Sequence, residues 1–274
     1  MRALRIAAWS VGTTLVAGAT VLGALWFWSG ANTSLATSLA VAAQWLPAGQ
    51  TLQTRNVQGS VQGGGTVEWL RWQQGDLSIE VHDLQVRWAW RRLLDGEARV
   101  DQLRARLVHI EDRRPAAPPG PSTPPNSLVL PFKVDTQISI ATLEWQGSTA
   151  LSATDVAGRY IFDSVSHRLN GGRGRISSGN YQFDATLQAV APMALAAQVQ
   201  GTVQTTLPGR KTPWEIPAQA SVTGTLAGAD ATLDLQAALR PPAGQTMQAT
   251  LSARVQPWQA QPVVQAQAHW QALD

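Results

Sequence analysis

Histidine offers this chain its most versatile chemistry, and it occurs at four positions: His82, His109, His167 and His269. A metal site needs two or more such ligands at spacings that converge on one ion. None of the four pairs with another at a ligand spacing, and His82 and His109 read as exposed turn and strand histidines. Asp76, Glu80 and Asp83 form the nearest thing to a carboxylate cluster. A hydrolase would use such a pair as general acid and base. All three, however, fall on polar strand positions or at turns, where a solvated face accounts for them. Gly63-Gly64-Gly65 lacks the Gly-Lys-Ser/Thr of a phosphate loop. Gly172-Arg173-Gly174 lacks the third glycine of a dinucleotide fingerprint, and turns explain it better. No cysteine is present, which excludes disulfides and thiolate metal sites. The expectation is therefore a protein without catalytic residues, cofactor or resident metal, which disfavours a secreted glycan or peptide hydrolase.

The elements that would carry these residues are strands. Charged side chains make up 14% of the chain, against roughly 25% in ordinary globular proteins. Gln, Thr, Ser and Gly fill the polar positions instead. The net charge is +3, and no basic run with interleaved aromatics occurs, so nucleic acid is not an expected partner. Through Val57–Ile110 apolar and polar residues alternate with the period of a half-buried strand. Leu77, Ile79 and Val81 share one phase; Leu84, Val86, Trp88 and Trp90 continue one residue out of step. A bulge at His82-Asp83 would keep both sets on one face. Arg91–Gly96 has the length of a single helical turn closed by a glycine.

From Leu128 onward the same pattern repeats. Ile138 and Ile140, then Tyr181, Phe183, Ala185 and Leu187, then Leu195, Ala197, Val199 and Val203 alternate with Gln, Ser and Thr. Later sets run through Leu233 and Leu235, Leu251 and Val255, and Val264 to Trp270, separated by Gly and Pro turns. This predicts an all-β, antiparallel sheet of successive hairpins with one apolar and one wet face. Alternation fits an open groove and a closed sandwich alike. The pattern reaches Asp274 without a closing element, so the sheet is expected to continue.

Five segments follow: 1–28, 29–50, 51–112, 113–127 and 128–274. The fourth carries Pro115, Pro118, Pro119, Pro121, Pro124 and Pro125 and reads as an extended loop inside one sheet. In the first, Ile6–Trp28 is 23 residues without a charge. At ~1.5 Å per residue this gives roughly 35 Å of helix, enough to span a hydrocarbon core. Arg2 and Arg5 precede it and no Lys or Arg follows before Arg55, which places the N-terminus in the cytoplasm. Trp26 and Trp28 stand at the membrane interface. The alternative, a cleaved signal peptide, usually has a shorter apolar core of ~7–15 residues. Ser34–Leu46 spaces Leu35, Leu39, Ala42, Ala43 and Leu46 as a short amphipathic helix, stopped by Pro47, that lies at the membrane surface or caps the first strands. Twelve tryptophans are present. Trp69, Trp72, Trp88 and Trp90 either pack a small β core or line the mouth of a lipid path.

The order of several short motifs resembles the N-terminal part of TamB-like proteins, inner-membrane members of the AsmA-like superfamily and of the translocation and assembly module. These are Gly59-Ser60-Val61-x-Gly63, Leu70-Arg71-Trp72-Gln73, Val86-x-Trp88, Leu93-Leu94-x-Gly96 and Val100-x-x-Leu103. The resemblance runs from the N-terminal helix to about Val203, and by composition to the end. Trp90 stands where the family often has proline, and family members are usually far longer, ending in a C-terminal domain for which 274 residues leave no room. The resemblance implies an elongated, U-shaped β-sheet groove in the periplasm on a single-pass inner-membrane anchor. Its apolar lining would carry phospholipid acyl chains between the membranes. Leu77, Ile79, Val81, Leu84, Val86, Val100, Leu103, Leu107, Ile138, Ile140, Phe183, Leu187, Leu195 and Val199 would form that lining. The alternative it implies is a scaffold for assembly of outer-membrane proteins or autotransporters with a TamA-type barrel partner.

Overall fold

A computed structural model describes residues 27–88, 97–114, 123–130, 132–147, 149–176, 179–205, 214–239 and 248–271. Among the described residues, helix α1 (Ser34–Gln44) precedes thirteen strands. These are β1 (Gln50–Ser60), β2 (Gly64–Gln74), β3 (Leu77–Trp88), β4 (Glu97–Asp112), β5 (Lys133–Gln146), β6 (Leu151–Phe162) and β7 (Ser166–Ile176), followed by β8 (Gly179–Gln188), β9 (Ala194–Thr205), β10 (Trp214–Thr225), β11 (Leu233–Leu239), β12 (Gln248–Val255) and β13 (Val263–Gln271). They form one sheet in chain order. The spanning segment expected before Trp26, Trp26 itself, Trp90 and the Arg91–Gly96 turn lie outside the described residues. Residues 27–29 are helical. Among the described residues no helix is long and apolar enough to cross a membrane.

All neighbouring strands run antiparallel except one pair. β4 and β5 are parallel, with Glu97 opposite Lys133 and Glu111 opposite Gln146. The uniform hairpin pattern expected from the sequence is corrected here, and the reason is the connection. A parallel neighbour needs a crossover of about a dozen residues or more, and the long proline-rich segment 113–132 supplies that length. Both strands therefore start at the same rim as the β1–β2 hairpin.

Every substantial contact between elements joins sheet neighbours or packs α1 on β1. Among the described residues β1 and β13 are each paired on one side only, so the sheet is open. The chain lays no second layer over it among the described residues. Fully buried apolar side chains are accordingly few, and most Leu, Val and Ile of the strands are half-exposed.

The phase shift at His82-Asp83 belongs to a line that crosses the sheet. Asp83 has φ 51°, yet Val67 still faces Leu84 and Trp69 still faces His82. A bulge inserts a residue into one strand of a pair; here Glu68 and Asp83 leave the ladder together, so the expected one-strand bulge is corrected. The same break falls at Asn56 (φ 48°) on β1, Arg106 on β4, Ala141 on β5 and Asp155 (φ 53°) on β6. Along this crease each of the six strands turns two successive residues to the polar side, and the apolar phase resumes one residue later. Asn56 donates to Glu68 across it at 2.5 Å, and Arg106 meets Asp83 at 2.5 Å. One-strand bulges do occur elsewhere, as where β7 shifts register between Leu169 and Gly172.

Candidate functional site: the uncovered apolar face

Residues opposite each other in a ladder share a face, so the registers trace rows across the whole sheet. One row runs Thr54, Leu70, Val81, Val108, Leu143, Ala153. Beyond the crease another runs Gly59, Gly65, Val86, Leu103, Ile138, Gly158. In the second half Phe183, Val199, Ala220, Ala237, Leu251 and Ala268 form a third. All lie on one face, from β1 to β13. At ~4.8 Å between strands this face is roughly 58 Å long.

Thirteen of the residues expected to line it are there: Leu77, Ile79, Val81, Leu84, Val86, Val100, Leu103, Ile138, Ile140, Phe183, Leu187, Leu195 and Val199. Leu107 is not among them. It faces His82 and Thr142 on the polar side, because the crease falls between Ala105 and Val108 and hands the apolar position to Val108. Val108, Leu143 and Leu70 join the face without having been expected to line it; their signal is their place in the row of Val81, with Leu70 and Val108 opposite it and Leu143 opposite Val108.

The lining changes along the sheet. From β1 to β6 it carries Leu, Val and Ile. From β9 onward alanine dominates, and the smaller side chains leave a depression of about 420 Å³ among Tyr181, Val199, Leu239, Leu251 and Trp270. Trp72 and Trp88 stand on the apolar face, where Trp72 faces Leu52 and Ile79 and Trp88 faces Val100. The Trp88 indole donates to the Val61 carbonyl at 2.6 Å. Trp69 belongs to the opposite face, beneath the Arg55 guanidinium at 4.5 Å. Of the three described tryptophans of this block, Trp69 is thus parted from Trp72 and Trp88.

At the rim where β6 and β8 end, the face is closed over. Residues 126–128 cross to the β8–β9 turn, where Ser127 bridges Val190 and the Leu128 N–H donates to Ala189 O at 2.7 Å. His167 fixes this strap from below. One ring nitrogen bonds the Leu128 carbonyl at 2.6 Å and the other the Tyr160 hydroxyl at 2.7 Å. The imidazole also stacks on Phe162 at 4.5 Å, and Phe162 is wholly buried. Burial pushes the Tyr160 phenol up from its ordinary pKa. Nearby, the backbone N–H groups of Ser166 and Val165 hold the Asp163 carboxyl below its usual range, and Arg168 adds to this.

The other face is an array of ion pairs and amides. Glu80 meets Arg71 at 3.5 Å, and His109 meets Glu144, directly opposite it, at 3.1 Å. Expected as exposed histidines, His82 and His109 are both half-buried there. Arg159 forks onto Asp135, and Arg254 Nε donates to Asp234 Oδ1 at 2.8 Å. Such exposed pairs contribute about 1 kcal/mol or less each and keep this face wet. Among the described residues no group of three His, Asp or Glu is arranged to hold a metal ion.

A family model described as "TamB, N-terminal domain" matches residues 21–146. No curated protein and no solved structure gives a significant match.

Proposed function

With residues 21–146 making this chain TamB-like in its N-terminal part, we propose that it serves outer-membrane biogenesis as a periplasmic conduit for phospholipid, held at the inner membrane by Ile6–Trp28. In this reading the open sheet is one wall of a U-shaped groove, and the protein works without catalysis. Acyl chains lie on the apolar face while headgroups stay in water. Each buried methylene contributes about 0.8 kcal/mol, and a non-directional aliphatic lining lets a chain slide along the rows without a fixed stopping point. The observation that carries the reading is the apolar face itself, continuous from β1 to β13 and covered by no second layer among the described residues. A photo-crosslinkable phospholipid tests it. Val86→Asp with Ile138→Asp, which flank Leu103 in the second apolar row from the crease, should abolish crosslinking and lipid co-purification. Unchanged lipid occupancy in that folded variant overturns the reading.

A second reading, a scaffold for assembly of outer-membrane proteins with a barrel partner of the TamA type, draws on a different feature. Among the described residues β13 pairs only with β12, and every one of its residues is exposed. Proline at β13 positions should then impair partner assembly while lipid occupancy stays unchanged.

A further inference from the structure

The first helix has two apolar sides, and the sheet uses one of them. Leu35 is buried, and its Cδ2 would lie 2.9 Å from a Cβ placed on Gly65 of β2, so α1 sits against the apolar face at the β1–β2 edge. Leu39, Ala43 and Leu46 continue that contact half-buried. Val41 and Trp45, one turn apart, are 47% and 83% exposed, and residues four apart lie on the same side of a helix. Phe27, at 86% exposure, presents another large apolar surface just before the helix. No charged residue occurs anywhere between Arg5 and Arg55.

The turn before α1 allows it little distance from whatever precedes it. Ala31 N–H donates to Trp28 O at 2.9 Å and Ser34 N–H to Ala31 O at 3.0 Å. The same turn is pinned to the β1–β2 hairpin by Gln62 N–H to Ser29 O at 3.2 Å, Gly59 N–H to Asn32 O at 2.9 Å and Val61 N–H to Ser34 Oγ at 3.0 Å. α1, about 16 Å long at ~1.5 Å per residue, is thus held close to the end of the uncharged Ile6–Trp28 stretch. A helix with an exposed tryptophan, an exposed valine and no charge suits the interfacial layer of a bilayer, where the amphipathic indole is at home.

We propose that α1 is a second membrane contact: Phe27, Val41 and Trp45 embed in the interfacial layer while Leu35 holds the first edge of the sheet, seating β1 at the bilayer surface. The inference rests on reading Ile6–Trp28 as the membrane anchor. Because the chain has no cysteine, single cysteines carrying an environment-sensitive fluorophore report each position in the full chain. The labelled protein is reconstituted in phosphatidylethanolamine–phosphatidylglycerol vesicles containing a shallow doxyl-labelled phospholipid quencher. Val41→Cys and Trp45→Cys alter exposed side chains and leave the packing of Leu35 intact. Their probes should shift to the blue and lose most of their emission to the quencher, as should Val16→Cys, whereas Gln182→Cys on the polar face should not respond. Quenching at position 16 without quenching at 41 and 45 overturns the inference and leaves the anchor standing. No quenching at 16 overturns both. Equal quenching at 182 marks general adsorption and overturns the inference as well.

Discussion

The ring of Phe183 lies against Gly172, its partner across β7 and β8. A Cβ on that glycine would come within 2.3 Å of the ring and 2.6 Å of the Phe183 carbonyl oxygen. On this face an aromatic side chain takes the volume of its neighbour, so Gly172→Ala must displace both ring and backbone. It should cost about 1–3 kcal/mol, read as a lower urea midpoint at unchanged slope. Because the backbone oxygen is also too close, Phe183→Leu should restore the loss only in part.

His167 satisfies two partly buried polar groups at once, so its removal should be felt at a distance. His167→Leu leaves the Leu128 carbonyl and the Tyr160 hydroxyl without their partner, at about 1–3 kcal/mol for such a group. The strap over the rim should open first, seen as faster amide exchange at Leu128. Tyr160→Phe removes one bond alone and should cost about 0.5–1.5 kcal/mol, leaving Leu128 protected.

Asp163 gives the sheet an acid limb. Its carboxyl is held below the ordinary value of 3.8 by the Ser166 and Val165 N–H groups. A depressed folded pKa stabilises the fold above the unfolded value, and the contribution is lost as pH falls through the folded one. Below about pH 4, stability of the native chain should therefore fall more steeply than that of Asp163→Asn. Parallel thermal melts between neutral and acidic pH check this; identical slopes would show that the turn carries no linked proton.

Leu107 and Val108 are adjacent, both apolar, and on opposite faces. If the apolar face carries lipid, Val108→Asp should reduce crosslinking of a photoactivatable phospholipid and Leu107→Asp should leave it unchanged. Equal loss in both variants would point to destabilisation instead of a lost contact, and circular dichroism of each separates the two.

Much of this arrangement is legible in the sequence because strand alternation is a local property. Leu77, Ile79 and Val81 announce one face, and the slip at His82-Asp83 is visible in a single strand. What escapes is set by partners distant in sequence. Leu107 and Val108 cannot be told apart by alternation, since either continues an apolar run; only the register with β3 decides. His167 looks like any strand histidine until Leu128, 39 residues away, closes over it. The parallel pairing of β4 with β5 is likewise invisible in either strand and follows from where the proline-rich connection delivers the chain. The open, single-layer sheet needed the registers, because a sandwich would show the same alternation.

The crease ties the lengths of six strands together. Removing one residue from β3 at Asp83 would leave Leu84 and Val86 pointing opposite to Val67 and Gly65, their partners on β2, and to Ala105 and Leu103, which β4 presents to them. Repair would require the same deletion in each of the other five strands. Loops such as the β6–β7 turn can gain or lose residues singly, but the spacing from crease to rim is inherited as one block. A divergent relative of this chain should therefore keep that spacing in β1 through β6 even where no side chain along the line is retained.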